Sequence, residues 1–180
     1  MSARHLVLVG LMGVGKSTIG RQCAELLDRA FVDTDDLVEE ISHRTISDLF
    51  AESEAVFRRW ERLAVDRAAA STAPLVMACG GGVVVDPANR DRLRGSGFVV
   101  WLRATPETLV SRVGDGAGRP LLAGDPAATL RHLAETREPA YRAAAHAIVD
   151  TDGRSFEDVT TDVLAAARIG PKQTPRNEGP

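Results

Sequence analysis

Residues 10–18 read GLMGVGKST and follow directly on the apolar run HLVLV. Gly10, Gly15, Lys16 and Ser17 match the pattern G-x-x-x-x-G-K-[ST], which joins a strand to a helix and binds phosphate. Its glycines let successive backbone N–H groups turn toward one anion, and the next helix points its positive dipole end at the same place. The alternative is a glycine-rich turn without a ligand. Because strand, loop and helix come in the required order, we predict that ATP is bound by Gly13, Val14, Gly15, Lys16, Ser17 and Thr18.

The lysine of this loop is unusual in a chain whose basic residues are almost all arginine. Of 22 basic residues, only Lys16 and Lys172 are lysine. A compact ammonium at this position, where arginine would be the common choice, indicates a need for a point charge that fits among phosphates. We predict that Lys16 reaches the β- and γ-phosphates of the nucleotide and that the Ser17 hydroxyl binds Mg²⁺.

The composition is that of an ordinary soluble domain. The chain has 180 residues, 44% of them apolar and 26% charged, with a net charge of −3. This charge gives no support for a nucleic-acid partner, and no apolar run approaches the roughly 20 residues needed to span a bilayer. Cys23 and Cys79 are the only cysteines, and both fall in apolar segments. We expect reduced thiols and a cytoplasmic location, the alternative being a single disulfide.

Short apolar runs alternate with amphipathic segments along the chain. This alternation predicts an α/β fold in which a five-stranded parallel sheet carries helices on both faces. The predicted strands are His5–Val9, Ala30–Asp33, Leu75–Ala78, Phe98–Leu102 and Ala147–Asp150. The predicted helices are 16–28, 35–51, 54–71, 88–94, 105–113, 127–145 and 155–168.

Glycine and proline divide the rest of the chain. We predict one domain over residues 1–169 and a disordered tail over 170–180, which is polar and rich in both residues. The segment 114–126, GDGAGRPLLAGDP, has four glycines and two prolines inside the domain. Because a loop of this length in a compact fold is usually functional, we predict a flexible lid there.

Two acidic residues stand at the end of the second predicted strand. Asp33 and Asp35 are two positions apart, so on an extended strand they would face the same side, at the edge where ligands of parallel sheets collect. We predict that Asp33 holds Mg²⁺ together with Ser17. Asp35 would accept a hydrogen bond from a substrate hydroxyl and take its proton. Solvation of the strand end and capping of the next helix are the alternative.

Arg58 has Glu54 four residues before it and Glu61 three residues after it on a predicted helix. One interpretation is a ladder of surface ion pairs. The other is that Glu61 orients Arg58 so that its guanidinium binds a substrate carboxylate with two parallel hydrogen bonds. Three glycines at 80–82 follow the third strand. They form either a tight turn or a stretch of backbone that a ligand can approach closely.

Six motifs in a fixed order carry a resemblance that covers roughly residues 4–168. In this order and at this spacing, the chain resembles the shikimate kinases, which are small P-loop enzymes related to the nucleoside-monophosphate kinases. His43 and Ser53 stand where that family usually has glycine. The motifs are GLMGVGKST at 10–18, VDTD at 32–35, FRRWE at 57–61, GGG at 80–82, RPLL at 119–122 and REPAYR at 137–142.

The resemblance implies an activity. The chain would transfer the γ-phosphoryl group of ATP, with Mg²⁺ as cofactor, to the 3-hydroxyl of shikimate. Lys16, Asp35 and Arg119 would be catalytic. The implied partners are ATP and shikimate, with no nucleic acid or membrane, and the chain is expected to be a monomer.

The resemblance also assigns binding roles. Residues 36–62 would form a substrate-binding lobe, in which Arg58 holds the shikimate carboxylate and Glu61 supports it. Arg137 would be a second clamp on that carboxylate, Arg112 would pack on the adenine, and Arg119 would reach the phosphates from the lid. The three glycines that would lie against the shikimate are Gly80, Gly81 and Gly82.

Two alternatives stay open at this stage. One is a related small P-loop kinase that acts on another polyol or cyclitol acid, such as gluconate. The other is a regulator that binds nucleotide without turnover. The presence of Lys16, Asp33, Asp35 and Arg119 argues against the regulator.

Overall fold

The computed structural model describes residues 4–113 and 125–168. They form a parallel sheet with the strand order β2-β3-β1-β4-β5, which confirms the predicted α/β fold. Four of the five strands have the predicted bounds. The remaining one, the fourth along the chain, extends one residue further than predicted at each end. The strands are β1 (His5–Val9), β2 (Ala30–Asp33), β3 (Leu75–Ala78), β4 (Gly97–Arg103) and β5 (Ala147–Asp150).

The helices pack on the sheet in two groups. Helix α1 packs against α8, while α5 packs against α4 and α7. A 3-10 turn at Val83–Val85 follows β3. The helices are α1 (Lys16–Leu27), α2 (Thr34–Ser42), α3 (Ile46–Glu52), α4 (Glu54–Ala69), α5 (Pro87–Ser96), α6 (Pro106–Val113), α7 (Pro126–Ala144) and α8 (Phe156–Ala166).

Strand β1 forms the centre of the sheet. All five of its residues are buried, and it pairs with β3 on one side and β4 on the other. The strand order therefore changes direction beside β1, which is where open α/β sheets bind ligands. The loop after β1 and the loop after β3 emerge next to each other, since Leu8 is in register with Ala78.

The single helix predicted over 35–51 is wrong, because the chain forms α2 and α3 there. Helix α2 ends at His43, whose φ of 54° lies in the left-handed region and ends the run of helical hydrogen bonds. Thr45 then starts α3 by accepting a hydrogen bond from the backbone N–H of Asp48. The apolar periodicity of the sequence continues across the break between α2 and α3. The break is therefore not visible in the sequence pattern.

A second, small core lies apart from the main one. It is built where α2, α3 and α4 meet, and it consists of Val38, Leu49, Phe57 and Ala64. Further along α4, Val65 and Ala68 belong to the main core under the sheet. Helix α4 is therefore shared between the two cores. That residues 36–62 act as a substrate-binding lobe stays a prediction.

We expect His43→Gly to stabilise the chain. A residue with a Cβ in the left-handed conformation is strained, whereas glycine adopts it without that penalty, so the free energy of unfolding should rise by about 0.5–1 kcal/mol. Urea unfolding measures the change. Glu40→Gly in the right-handed interior of α2 is the matched control and should lower stability by a similar amount. Equal losses in both variants would contradict the assigned strain.

Several predictions fall outside the described residues. These are the tail at 170–180, Arg119 and nearly all of the lid at 114–126. Of the lid, only Asp125 and Pro126 are described. Asp125 caps α7 by accepting hydrogen bonds from the backbone N–H groups of Ala127 and Ala128. No helix within 4–113 or 125–168 is both long and apolar enough to cross a membrane.

Candidate active site

The loop after β1 turns back on itself around the Lys16 ammonium. Gly13 and Gly15 have φ values of 83° and 100°, which only glycine adopts readily, and Gly15 directly precedes α1. Lys16 is the first residue of that helix, and its Nζ donates hydrogen bonds to the carbonyl oxygens of Gly10 (2.9 Å) and Leu11 (3.0 Å). These contacts hold the ammonium over the loop, where a phosphate would bind.

Ser17 and Asp33 form a pair of oxygen donors beside this loop. The Ser17 hydroxyl donates to Oδ2 of Asp33 at 2.7 Å, and Oδ1 of Asp33 accepts the backbone N–H of Asp35 at 3.0 Å. The described part of the chain contains no group of three or more His, Cys, Asp or Glu side chains arranged for a metal ion. The pair suits Mg²⁺, which commonly takes one or two protein oxygens and completes its shell with water and substrate phosphates.

Asp35 lies in the first turn of α2, inside the segment predicted to be helical, and not on an extended strand with Asp33. The reason is the cap at Asp33, whose carboxylate binds the Asp35 N–H and starts the helix. The Asp35 side chain still faces the cleft. Its burial, reinforced by the negative charge of Asp33 and only partly offset by Lys16, raises its pKa to about 6. A carboxyl group with that pKa can exchange a proton near neutral pH.

Arg58 is held by two glutamates on its own helix. Its Nη1 donates to both carboxylate oxygens of Glu61, at 2.9 and 2.8 Å, and its Nε and Nη2 donate to Oε1 of Glu54. The Glu61 side chain is 1% exposed. Burial raises the pKa of Glu61 despite the opposing charge of Arg58. For Arg58, burial lowers the pKa, but the charge and hydrogen bonds of Glu61 outweigh it and leave the pKa raised. The pair is therefore a built part of the cleft wall rather than a surface ladder.

The glycines after β3 make room for protein side chains. A Cβ on Gly80 would lie 2.5 Å from Oδ1 of Asp35, and one on Gly82 would lie 2.5 Å from Nη1 of Arg58. At Gly81 the nearest atom, the backbone N of Met12, would be 3.4 Å away. Two of the three glycines thus leave the space that the Asp35 and Arg58 side chains occupy, a reason that differs from the close approach of a ligand predicted from the sequence.

The carbonyl oxygen of Gly81 joins this loop to α7. It accepts hydrogen bonds from Nη1 of Arg137 at 3.0 Å and from the Tyr141 hydroxyl at 2.5 Å. Tyr141 is buried and stacks on Trp101, with ring centroids 5.4 Å apart. Arg137, which is 8% exposed, is therefore anchored behind the glycine loop, close to the end of the cleft that holds Arg58.

Arg112, near the C-terminus of α6, lies on the nucleotide side of the loop. Its guanidinium donates to the hydroxyl of Thr151 at 2.9 Å and to the carbonyl oxygen of the same residue at 2.8 Å. It lines the cleft beside Gly15. These hydrogen bonds fix the position of the Arg112 guanidinium. They do not involve a ligand, so the contact of Arg112 with adenine stays a prediction.

Of the predicted site residues that the structure describes, all but Val14 and Arg137 line one cleft of about 660 Å³ at the carboxyl edge of the sheet. The sequence analysis missed the aromatic part of its lining. Phe50 and Phe57 stack there with centroids 4.4 Å apart, and Phe156, 44% exposed, lies against Gly15. The sequence spacing of these three residues is that of core aromatics. Only the exposure of Phe156 distinguishes it from a core residue, and that exposure is visible only in the folded structure.

Known proteins that resemble this chain identify its family. The sequence profile of the shikimate kinases matches residues 12–168. The chain belongs to the shikimate kinase family. A shikimate kinase of Symbiobacterium thermophilum is 52% identical over 164 residues, which cover 89% of this chain and 94% of that protein. The structure of the Acinetobacter baumannii shikimate kinase in complex with shikimate has a TM-score of 0.87 and 36% identity, and the match covers 91% of this chain and 92% of that one.

These findings confirm the resemblance drawn from the ordered motifs. They also establish the enzyme class, because shikimate kinases are ATP-dependent small-molecule kinases. The gluconokinase of Sinorhizobium meliloti has a TM-score of 0.65 and 21% identity, with 93% of each chain covered. At that identity it shares the fold alone and lends no support to gluconate as the acceptor.

Proposed function

We propose that this chain transfers the γ-phosphoryl group of ATP to the 3-hydroxyl of shikimate, giving 3-phosphoshikimate and ADP. One observation carries the proposal: a phosphate loop, a carboxylate with a pKa of about 6 and a buried arginine–glutamate pair line the same cleft. The three correspond to a phosphoryl donor, an acceptor hydroxyl and an acceptor carboxylate.

The loop side of the cleft would bind the nucleotide. The backbone N–H groups of residues 13–18 and the dipole of α1 would hold the phosphates, with the Lys16 ammonium beside them. Ser17 and Asp33 would hold Mg²⁺, which when bound neutralises negative charge on the phosphates. Arg112 would pack on the adenine, and Arg119 would add a second cation at the phosphoryl group. These two roles rest on the family resemblance.

The other side would bind the acid. Arg58, kept in place by Glu61, would donate two parallel hydrogen bonds to the shikimate carboxylate, which is the geometry that a planar guanidinium suits best. Arg137 would supply a second positive charge from behind Gly81. The backbone of residues 80–82 would form the floor between the carboxylate and the reacting hydroxyl.

Asp35 would act on the 3-hydroxyl. Above pH 6 its carboxylate is ionised, so it can accept the hydroxyl hydrogen bond, align the oxygen with the γ-phosphorus and take the proton as the new bond forms. Most of the rate enhancement would come from positioning and charge neutralisation, as in other phosphoryl transfers. We also propose that the chain works as a cytoplasmic monomer, consistent with two buried cysteines that form no disulfide.

A panel of acceptors tests the proposal. ADP release from ATP and Mg²⁺ is measured with shikimate, quinate, gluconate or no acceptor. We expect turnover with shikimate only, because its carboxylate and 3-hydroxyl together match the arginine clamp and Asp35. Turnover with gluconate in place of shikimate would assign a different acceptor. Nucleotide binding without acceptor-dependent ADP release would indicate a regulator.

A further inference from the structure

Glu54 occupies the side of Arg58 that the proposed function leaves for the substrate. It is the first residue of α4 and stands one helical turn before Arg58. One oxygen, Oε1, accepts from both Nε and Nη2 of Arg58, at 3.2 and 2.9 Å. That edge of a guanidinium can instead bind the two oxygens of one carboxylate through parallel hydrogen bonds. Glu54 therefore makes a weaker version of the contact that an acidic ligand would make.

The two glutamates bound to Arg58 differ sharply in their surroundings. The Glu61 side chain is 1% exposed and gives both oxygens to Nη1, whereas the Glu54 side chain is 60% exposed. Leaving Glu61 buried without Arg58 would be costly, while Glu54 can turn into water at little cost. Only Glu54 can yield its position without disturbing the cleft wall.

The charges around Arg58 point the same way. Two guanidiniums, those of Arg58 and Arg137, act on the carboxylates of Glu54 and Glu61, and a third carboxylate, that of Asp35, lies close to Glu61 at Gly80. A carboxylate from a ligand would add negative charge to a cluster of side chains in which negative charges already outnumber positive ones. Departure of Glu54 as the ligand arrives would keep the local charge constant.

We propose that Glu54 is an internal carboxylate that holds Arg58 in the empty site and is displaced by the carboxylate of the substrate. Glu54 is then a positioning residue that competes with the substrate, and it makes entry conditional on a group able to replace it. The inference rests on the proposed function, since it takes the acceptor to be a carboxylic acid bound by Arg58. An uncharged analogue cannot replace Glu54, so the exchange favours acids over neutral polyols.

Binding of shikimate to the wild-type chain, Glu54→Gln and Glu52→Gln, measured by calorimetry, tests the exchange. Removing the competing charge should lower the Kd of shikimate in Glu54→Gln by about two- to fivefold, the range that one partly exposed ion pair supports. The Kd of shikimate methyl ester should not change, because the ester does not displace Glu54. The KM for ATP should stay at its wild-type value.

Glu52→Gln is the matched control. Glu52 is also exposed and pairs with an arginine at 2.7 Å, but that arginine, Arg44, does not line the cleft as Arg58 does, so the loss of Glu52 should leave shikimate binding unchanged. A Kd for shikimate that is unchanged or raised in Glu54→Gln would overturn the inference, since Glu54 would then only support Arg58 or α4. Equal gains for acid and ester would overturn it as well. Failure of the wild-type chain to phosphorylate shikimate would instead overturn the proposed function, and the inference with it.

Discussion

Asp35→Asn should lower kcat by about 10²- to 10⁴-fold, the usual contribution of a positioned proton acceptor. The amide fits the same space beside Gly80 and can still align the hydroxyl, but it cannot take the proton. The KM for shikimate should therefore change much less than kcat. Steady-state kinetics with shikimate and ATP measure both constants.

The same substitution should make the protein more stable at neutral pH. Burial raises the pKa of Asp35 to about 6, above its ordinary value of 3.8, so between these two values the folded state retains a proton that the unfolded state has released. The free energy of unfolding of the wild type therefore falls as the pH rises from about 4 to about 6. Asp35→Asn does not undergo this loss, and above pH 6 it should gain on the order of 3 kcal/mol, with no gain below pH 4.

Asp36→Asn is the matched control for Asp35→Asn. Asp36 follows Asp35 in the same first turn of α2, but its side chain is exposed. It should show no loss of kcat and only a smaller gain in stability, because limited burial and the charge of Asp33 raise the pKa of Asp36 less strongly than that of Asp35. The wild-type kcat/KM should also fall as the pH drops through about 6, where Asp35 binds its proton. A kcat of Asp35→Asn within threefold of the wild type would contradict its role as base.

Arg58→Ala should raise the KM for shikimate by about 30- to 1,000-fold, the cost of removing one partner of a buried, charge-assisted contact. The KM for ATP should stay near its wild-type value, because the loop after β1 does not contact Arg58. Arg62→Ala is the matched control. Arg62 lies one turn further along α4 and is 56% exposed, paired with Asp86, so its loss should leave both KM values unchanged.

Loss of Arg58 also leaves Glu61 buried without its partner, which should cost about 3–5 kcal/mol of stability. A double variant, Arg58→Met with Glu61→Gln, separates this effect from substrate binding. It should recover most of the stability while keeping the raised KM for shikimate. If the double variant recovers both, the clamp role of Arg58 is wrong and its effect is structural.

Strands β1 and β3 were predictable because each is buried along its whole length. A central parallel strand such as β1 needs apolar residues on both faces, so it stands out as a continuous apolar run. The ends of four strands were also predictable, because glycine or polar residues such as Gly10 and Asp33 end each apolar run. The phosphate loop was equally clear, because its chemistry requires glycines and a lysine at fixed spacing.

Local conformation at the strand ends was less predictable. The prediction that Asp33 and Asp35 face the same side assumed an extended backbone, but capping by Asp33 turns the chain into α2 at that point. The break between α2 and α3 depends on the left-handed backbone of His43, a conformation that histidine only occasionally adopts. The cap at Asp33 is a local contact and was one of the alternatives left open, whereas residue spacing does not record the left-handed turn at His43.

The partners within the site were the least predictable. The spacing of Glu54, Arg58 and Glu61 fits an exposed helix face as well as a cleft wall, and only burial separates the two. The convergence of Arg137 and Tyr141 on the carbonyl oxygen of Gly81 joins residues 56 and 60 positions away from it. No sequence pattern predicts such a contact.

The glycine loop after β3 has a consequence for substrate size. Asp35 fits into the space left by Gly80, and Arg58 fits into the space left by Gly82, although the two side chains come from different helices. Both are therefore located relative to one short piece of backbone. In the proposed function, the separation between the hydroxyl bound by Asp35 and the carboxylate bound by Arg58 would therefore follow from the length of this three-residue loop. An acid whose hydroxyl lies too near to its carboxylate, or too far from it, would then contact only one of the two side chains at a time.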